Sequence, residues 1–332
     1  MKAVAIGPEL NLEVRDVPAP EPGEGEVAIA VEACGICGSD LHMLPSGALA
    51  EGSVMGHEVS GRVSATGSGV EGWSEGDAVC VYPFAPLDHL DVAVAMGSGI
   101  GLGTNDGGYA EQLTVPAEML WRLPEEIELA HGALVEPLAV GLHGIDVARA
   151  EPGQGCVVLG CGPIGAMTLV GLRARGFEQV VVVEPNEGRR GLAERLGASA
   201  AFGLEGVHEA VLAELGAPPE IVLECAGHVS APGLAIELVA PEGMVALMGM
   251  LGEPVPISQL NVMLKEVRLR GSFAYRPDNF DEAIAMLADG KVPADELISS
   301  RRPLEDAAEC FEELVRPGTT ELKILLQPSL GA

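Results

Sequence analysis

Aromatic residues and lysine are scarce in this 332-residue chain, which holds six Phe, three Tyr, two Trp and four Lys. Positive charge is short as well: 19 Lys and Arg stand against 49 Asp and Glu, a net charge of −30. Such a balance offers no basic stripe for nucleic acid and repels anionic membrane surfaces. Although 48% of the residues are hydrophobic, no apolar run reaches the roughly 18 charge-free residues of a membrane span. The opening stretch Met1–Gly7 breaks at Pro8 and Glu9, too short for a signal peptide, and is expected to form a first strand. A disulfide framework is also missing. The seven cysteines (Cys34, Cys37, Cys80, Cys156, Cys161, Cys225 and Cys310) are odd in number and scattered through apolar runs, so a reducing cytoplasm is the expected location. No internal repeat or low-complexity tract is present.

What is present falls into two rhythms. Up to about residue 135, short alternating runs such as Glu26–Glu32, Val59–Ala65 and Asp77–Tyr82 are separated by Gly and Pro, the pattern of a mostly β body. From about residue 139 the pattern turns to strand, helix, strand. Apolar runs at 157–159, 180–183, 221–223 and 244–247 alternate with helical periodicity at 164–175, 189–196, 208–215 and 234–239. That alternation predicts a parallel, doubly wound sheet. Helices are expected again at 279–288 and 304–315, with a closing strand at 322–326. The α/β class follows, with one domain over 1–138 and 275–332, discontinuous in sequence, and a dinucleotide-binding domain over 139–274.

Four side chains in the first part form a candidate metal set. Cys37 lies in A-C-G-I-C-G-S-D-L-H, His57 and Glu58 in M-G-H-E, and Glu136 in L-V-E-P-L-A-V. Thiolate, imidazole and carboxylate together suit zinc, and a site with about three protein ligands leaves a position open for chemistry. Asp40 is placed to orient the histidine through a hydrogen bond. Taken singly, each has a plainer role: a small buried Cys, a surface His-Glu pair, a Glu at a helix start. Their company is what gives them weight.

The second constellation is Gly160-Cys-Gly162-Pro163-Ile164-Gly165, set behind the apolar run Val157–Leu159. Glycines there allow a tight turn, close approach of backbone to pyrophosphate and close packing of helix on strand, with the helix N-terminus aimed at the phosphates. Glu184 ends the following strand, nineteen residues past Gly165. A carboxylate at that point accepts ribose hydroxyls and repels a 2′-phosphate, favouring NAD. Arg189 and Arg190 nearby keep NADP open as the rival.

Carried by Cys37-Gly-Ser-Asp-Leu-His42, Gly56-His57-Glu58 and Glu136-Pro-Leu-Ala-Val140, the chain resembles the zinc-dependent medium-chain dehydrogenase/reductase superfamily, nearest the sorbitol, threonine and butanediol dehydrogenase branch. The resemblance implies a GroES-like mostly-β catalytic domain with a Rossmann domain, one catalytic zinc, and hydride transfer between NAD(H) and a secondary alcohol, diol or polyol. It implies Ser39 and His42 as a proton relay, Cys37, His57 and Glu136 or Glu58 as zinc ligands, and Arg189 over the adenosine. A homodimer or homotetramer is implied too. The lobe from Pro86 to Gly103, where many members hold a structural zinc with four cysteines, has no cysteine, so no structural zinc is expected. Asp88, His89 and Asp91 within it read as a solvated turn. Met43, Leu44 and Pro45 after the relay histidine suggest an apolar pocket suited to a simple secondary alcohol or vicinal diol. The alternatives are a zinc-free quinone or enoyl reductase of the same superfamily and a non-enzymatic dinucleotide-binding protein.

Overall fold

A computed structural model describes residues 1–84, 99–102 and 105–331. Asp88, His89 and Asp91, and with them the expectation about a structural zinc, lie outside the described residues. The chain forms two compact units: Met1–Glu136 with Arg276–Asp289 and Leu297–Ala332, and Pro137–Tyr275 with Gly290–Glu296.

The first unit is built from β1 (Lys2–Ile6), β2 (Leu12–Asp16), β3 (Glu26–Gly35), β4 (Glu58–Thr66), β5 (Ala78–Val81), β6 (Gln112–Pro116) and β7 (Leu120–Arg122). Antiparallel pairing of β3 with β4 and β6, and of β4 with β5, buries alternate Val, Ile and Ala side chains of these strands. A helix, α1 (Gly38–Ser46), was not foreseen in a region that reads as short strands. Its start is explained by the motif itself. Cys37 is the N-cap, and Asp40 in the first turn accepts the Cys37 backbone amide at 3.0 Å. Gly47, in the left-handed region at φ 66°, ends it.

The second unit follows the expected alternation. After α2 (Val135–Ala148) come β8 (Cys156–Leu159), α3 (Pro163–Ala174), β9 (Val180–Val183), α4 (Glu187–Arg195), β10 (Ala200–Phe202), β11 (Ile221–Glu224), β12 (Met244–Leu247) and β13 (Arg268–Gly271). All neighbours are parallel and the spatial order is β10-β9-β8-β11-β12-β13. Counting from β8, that is 3-2-1-4-5-6, the doubly wound order whose crevice opens where the direction of winding reverses, between β8 and β11. Strands β8, β9 and β11 are buried along their whole length, which is why β8, β9 and the first three residues of β11 read as apolar runs. Each fully buried Val contributes about 1.5–3 kcal/mol.

The chain then returns to the first unit. Strands β14 (Ile298–Arg302) and β15 (Lys323–Leu326) extend its larger sheet, β15 pairing antiparallel with β3 at Leu325–Gly35 and Leu326–Cys34. This return sets the residue two positions before Leu325, Lys323, beside the loop that carries Cys37.

Candidate active site

The end of β3, the start of α1 and the start of β4 bring the metal-set residues of the first unit together. One ligand atom each from Cys37, His57 and Glu58 lies within 4.8 Å of the others. His57 and Glu58 are buried and Cys37 is half-buried. Asp40 is fully buried behind His57, its Oδ1 3.6 Å from His57 Nδ1. Neither atom has a hydrogen-bond partner among the described residues. The opposite carboxylate oxygen of Asp40 accepts the Tyr109 hydroxyl at 2.6 Å and the Cys37 amide at 3.0 Å. Asp40 is thereby fixed, and it orients the imidazole so that Nε2 faces away from it. Ser39 Oγ lies 3.5 Å from that Nε2. Burial works against a charged His57, but Asp40 and Cys37 outweigh it and raise its proton affinity well above the ordinary value.

Glu58 has a partner that sequence reasoning missed. Lys323, fully buried, donates to both Glu58 oxygens at 2.6 Å and to the Ile36 carbonyl at 2.9 Å. Its three protons are all used. Burial opposes its charge, yet Glu58, with Cys37 and Glu136 adding, holds its proton affinity above the usual lysine value. Gly35 leaves room for the pair, because a Cβ there would overlap the Glu58 carboxylate. The signal for Lys323 was one of only four lysines standing inside an apolar closing strand.

Glu136, in the first turn of α2, is buried but does not join the 4.8 Å group. Its carboxylate still acts on Lys323 and on Tyr82, whose hydroxyl is pushed up to about 12, mainly by burial and then by Glu136. Tyr82 stacks on Trp121 at 5.0 Å and meets the edge of Phe280 at 5.1 Å, so several of the few aromatics gather there. His42 is exposed on α1, three residues after Ser39 and on the same helical side. Met43 and Leu44, each half-buried, pack in part against the unit's own core.

The donor set fits a divalent cation. Cys37, His57 and Glu58 offer sulfur, nitrogen and oxygen atoms within 4.8 Å of one another. Soft sulfur, imidazole and carboxylate in one buried place are the ligands of zinc.

In the second unit a cavity of about 330 Å3 is lined by Gly160, Gly162, Glu184, Arg189, Ala226 and His228, among others. The turn after β8 has Gly160 at φ 89°, and a Cβ on Gly165 would strike the Gly160 carbonyl. A Cβ on Gly162 would meet nothing, so backbone is open to a ligand there. Pro163 and Ile164 form the first turn of α3, with Pro163 at its first position. Buried Glu184 accepts the Cys161 amide at 2.7 Å and the Asn186 amide at 2.8 Å. Arg190 spends one guanidinium nitrogen on the Glu184 and Pro185 carbonyls, at 2.9 and 2.7 Å.

Comparison with known proteins agrees with both halves. Residues 23–125 match the alcohol dehydrogenase GroES-like domain, and residues 163–289 match the zinc-binding dehydrogenase family. The chain is similar to sorbitol dehydrogenase of Homo sapiens, 31% identical over 99% of this chain and 96% of that one. It is 30% identical to (R,R)-butanediol dehydrogenase of Bacillus subtilis, over 99% of this chain and 100% of that one. Among solved structures, a proposed zinc-binding dehydrogenase from Sinorhizobium meliloti 1021 bound to NADP superposes with a TM-score of 0.90. It is 31% identical over 98% of this chain and 99% of that one.

Proposed function

Because the chain belongs to the zinc-binding, GroES-like alcohol dehydrogenase family, we propose that it moves a hydride between NAD(H) and a secondary alcohol, diol or polyol, or the matching ketone. The observation that carries this reading is the convergence of Cys37, His57 and Glu58, with Asp40 behind the imidazole. Cys37, His57 and Glu136 would hold the zinc, with Glu58 as a fourth carboxylate in reserve. The hold of Lys323 on both Glu58 oxygens supports that order.

When bound, zinc supplies a Lewis acid for the alcohol or carbonyl oxygen, and the nicotinamide supplies the hydride acceptor or donor. The protein residues handle the proton. Ser39 takes it from the substrate hydroxyl, and exposed His42 passes it to solvent. Asp40 keeps His57 in one tautomer and orientation.

Gly160, Gly162, Pro163, Ile164 and Gly165 would cradle the pyrophosphate at the start of α3. NAD is favoured over NADP because Glu184 brings a buried carboxylate to the ribose side, and because Arg190 is turned onto backbone carbonyls. Arg189 lines the same cavity and would lie over the adenosine.

A homo-oligomer is supported by the helix Gln259–Lys265, which buries none of its residues and exposes Leu260, Met263 and Leu264 by 58 to 70%. All seven cysteines are free, in keeping with a reducing, cytoplasmic setting. No helix of the described residues is long and apolar enough to cross a membrane.

The test is metal content per chain on purified protein, together with reduction of NAD and NADP by 2,3-butanediol, cyclohexanol and sorbitol before and after chelation. Zinc with chelator-sensitive NAD reduction is the expected result. Turnover indifferent to removal of metal would overturn the assignment and favour a zinc-free reductase.

A further inference from the structure

One buried carboxylate of the second unit has no part in the chemistry above. Glu224 ends β11, the strand at the reversal of winding, and is 1% exposed. Among the described residues it forms no ion pair, so its charge is met by backbone amides instead. Its Oε1 accepts Ala226 N at 2.9 Å and Gly227 N at 3.0 Å. Its own carbonyl accepts Met248 N at 2.8 Å and Gly249 N at 2.9 Å. One residue therefore ties together the loop 225–230 and the loop after β12.

The two loops meet without side chains between them. A Cβ on Gly249 would come 2.8 Å from Glu224 Oε2 and would overlap the Gly227 amide nitrogen. A Cβ on Gly227 would come 2.8 Å from the Met250 carbonyl. On its other side loop 225–230 abuts the glycine turn, since a Cβ on Gly160 would lie 2.8 Å from Ala226 Cα. Cys225, Ala226, His228 and Ser230 of this loop line the cavity that Gly160, Gly162 and Glu184 also line. Part of that cavity's wall is thus Ala226, next in sequence to Gly227, which packs on the loop after β12.

We propose that Glu224 is a positioning residue for the dinucleotide, its carboxylate clamping the loop that forms the cavity wall beside the glycine turn. An acid is the right group for this place. One carboxylate oxygen accepts two converging amides, as an apolar side chain cannot, and a buried amide left unsatisfied costs free energy that a shift of the loop would relieve. The inference rests on the dinucleotide reading given above.

Zinc-loaded Glu224→Leu, Glu224→Gln and Gly249→Ala enzymes are compared with the wild type. NADH affinity is read from its own fluorescence, alongside kcat, the KM for the alcohol and zinc content. Glu224→Leu is expected to weaken NADH binding about tenfold or more. Its kcat at saturating cofactor, alcohol KM and zinc content should stay within about twofold of the wild type, because only the cavity wall is displaced. Glu224→Gln keeps the carbonyl oxygen and should recover most of the affinity. Gly249→Ala attacks the same junction from the other loop and should reproduce the loss.

NADH binding within about twofold of wild type in both Glu224→Leu and Gly249→Ala would overturn the proposal, and so would a loss confined to kcat. Should Glu224→Leu fail to fold, Gly249→Ala decides alone. Wild-type enzyme that binds neither NADH nor NADPH would instead overturn the dinucleotide reading itself.

Discussion

The two sites are assembled from different materials. In the first unit the proposed metal place is made of charged and polar side chains drawn from far apart: Cys37, Asp40, His57, Glu58, Tyr109 and Lys323. In the second unit the proposed dinucleotide cradle is made chiefly of backbone: a glycine turn, a helix start and strand ends, with two carboxylates that hold amides. Burying side-chain charge costs several kcal/mol per ion unless each is met, so the first site needs a closed set of partners. Backbone amides of a turn are already placed by the fold, so the second site tolerates changes of side chain wherever space is open. The first site should therefore break sharply when one partner is lost, and the second should yield by degrees.

Lys323→Met tests the sharp side and should have the largest effect. It leaves the Glu58 carboxylate buried without its ammonium, and breaking such a pair costs about 3–5 kcal/mol. Both tryptophans, Trp73 and Trp121, belong to the first unit, so urea unfolding followed by their fluorescence reports on it directly. Adding Glu58→Gln to Lys323→Met should restore much of the loss, since the orphan charge goes with it. A Lys323→Met enzyme as stable as the wild type would mean that water or a shifted loop replaces the ammonium, and that the partner set is not closed.

Next in size is Asp40→Asn. The amide keeps shape and loses charge beside His57 Nδ1, the kind of change that costs about 10–100-fold in metal affinity. Competition for zinc with a chromogenic chelator measures it. Unaltered NADH affinity in the same protein would show that the two sites fail separately. An unchanged zinc affinity would remove Asp40 as the residue that orients His57.

The same contrast decides what could be read in advance. The glycine turn, Glu184 and the strand-helix alternation are local patterns, and local geometry follows from a few neighbouring residues, so β9 and β12 fall where their apolar runs lie. Cys37, Ser39, Asp40 and His57 are also legible as residue types, because two short strings carry them. Their partners are not. Lys323 stands 265 positions from Glu58 and Tyr109 stands 69 from Asp40, and only the pairing of β15 with β3 and the course of the loop before β6 bring them in. The helix α1 was missed for a related reason. Its start depends on the hydrogen bond between Asp40 and the Cys37 amide, and its residues carry no strong apolar period.

The smallest effect is expected where the second site touches its support. Asn186 caps α4, its side-chain oxygen accepting the Arg189 amide at 3.2 Å. Asn186→Ala removes that bond and should cost about 1 kcal/mol of stability. The Asn186 backbone amide still reaches Glu184, so the carboxylate at the ribose side keeps its place and NADH affinity should change by no more than about twofold if backbone is what builds the cradle. Tryptophan fluorescence is blind to this unit, so the loss is followed by far-ultraviolet circular dichroism on urea unfolding. A large loss of NADH affinity with little loss of stability would show that the Asn186 side chain itself serves the ribose, and that the second site depends on individual side chains as much as the first.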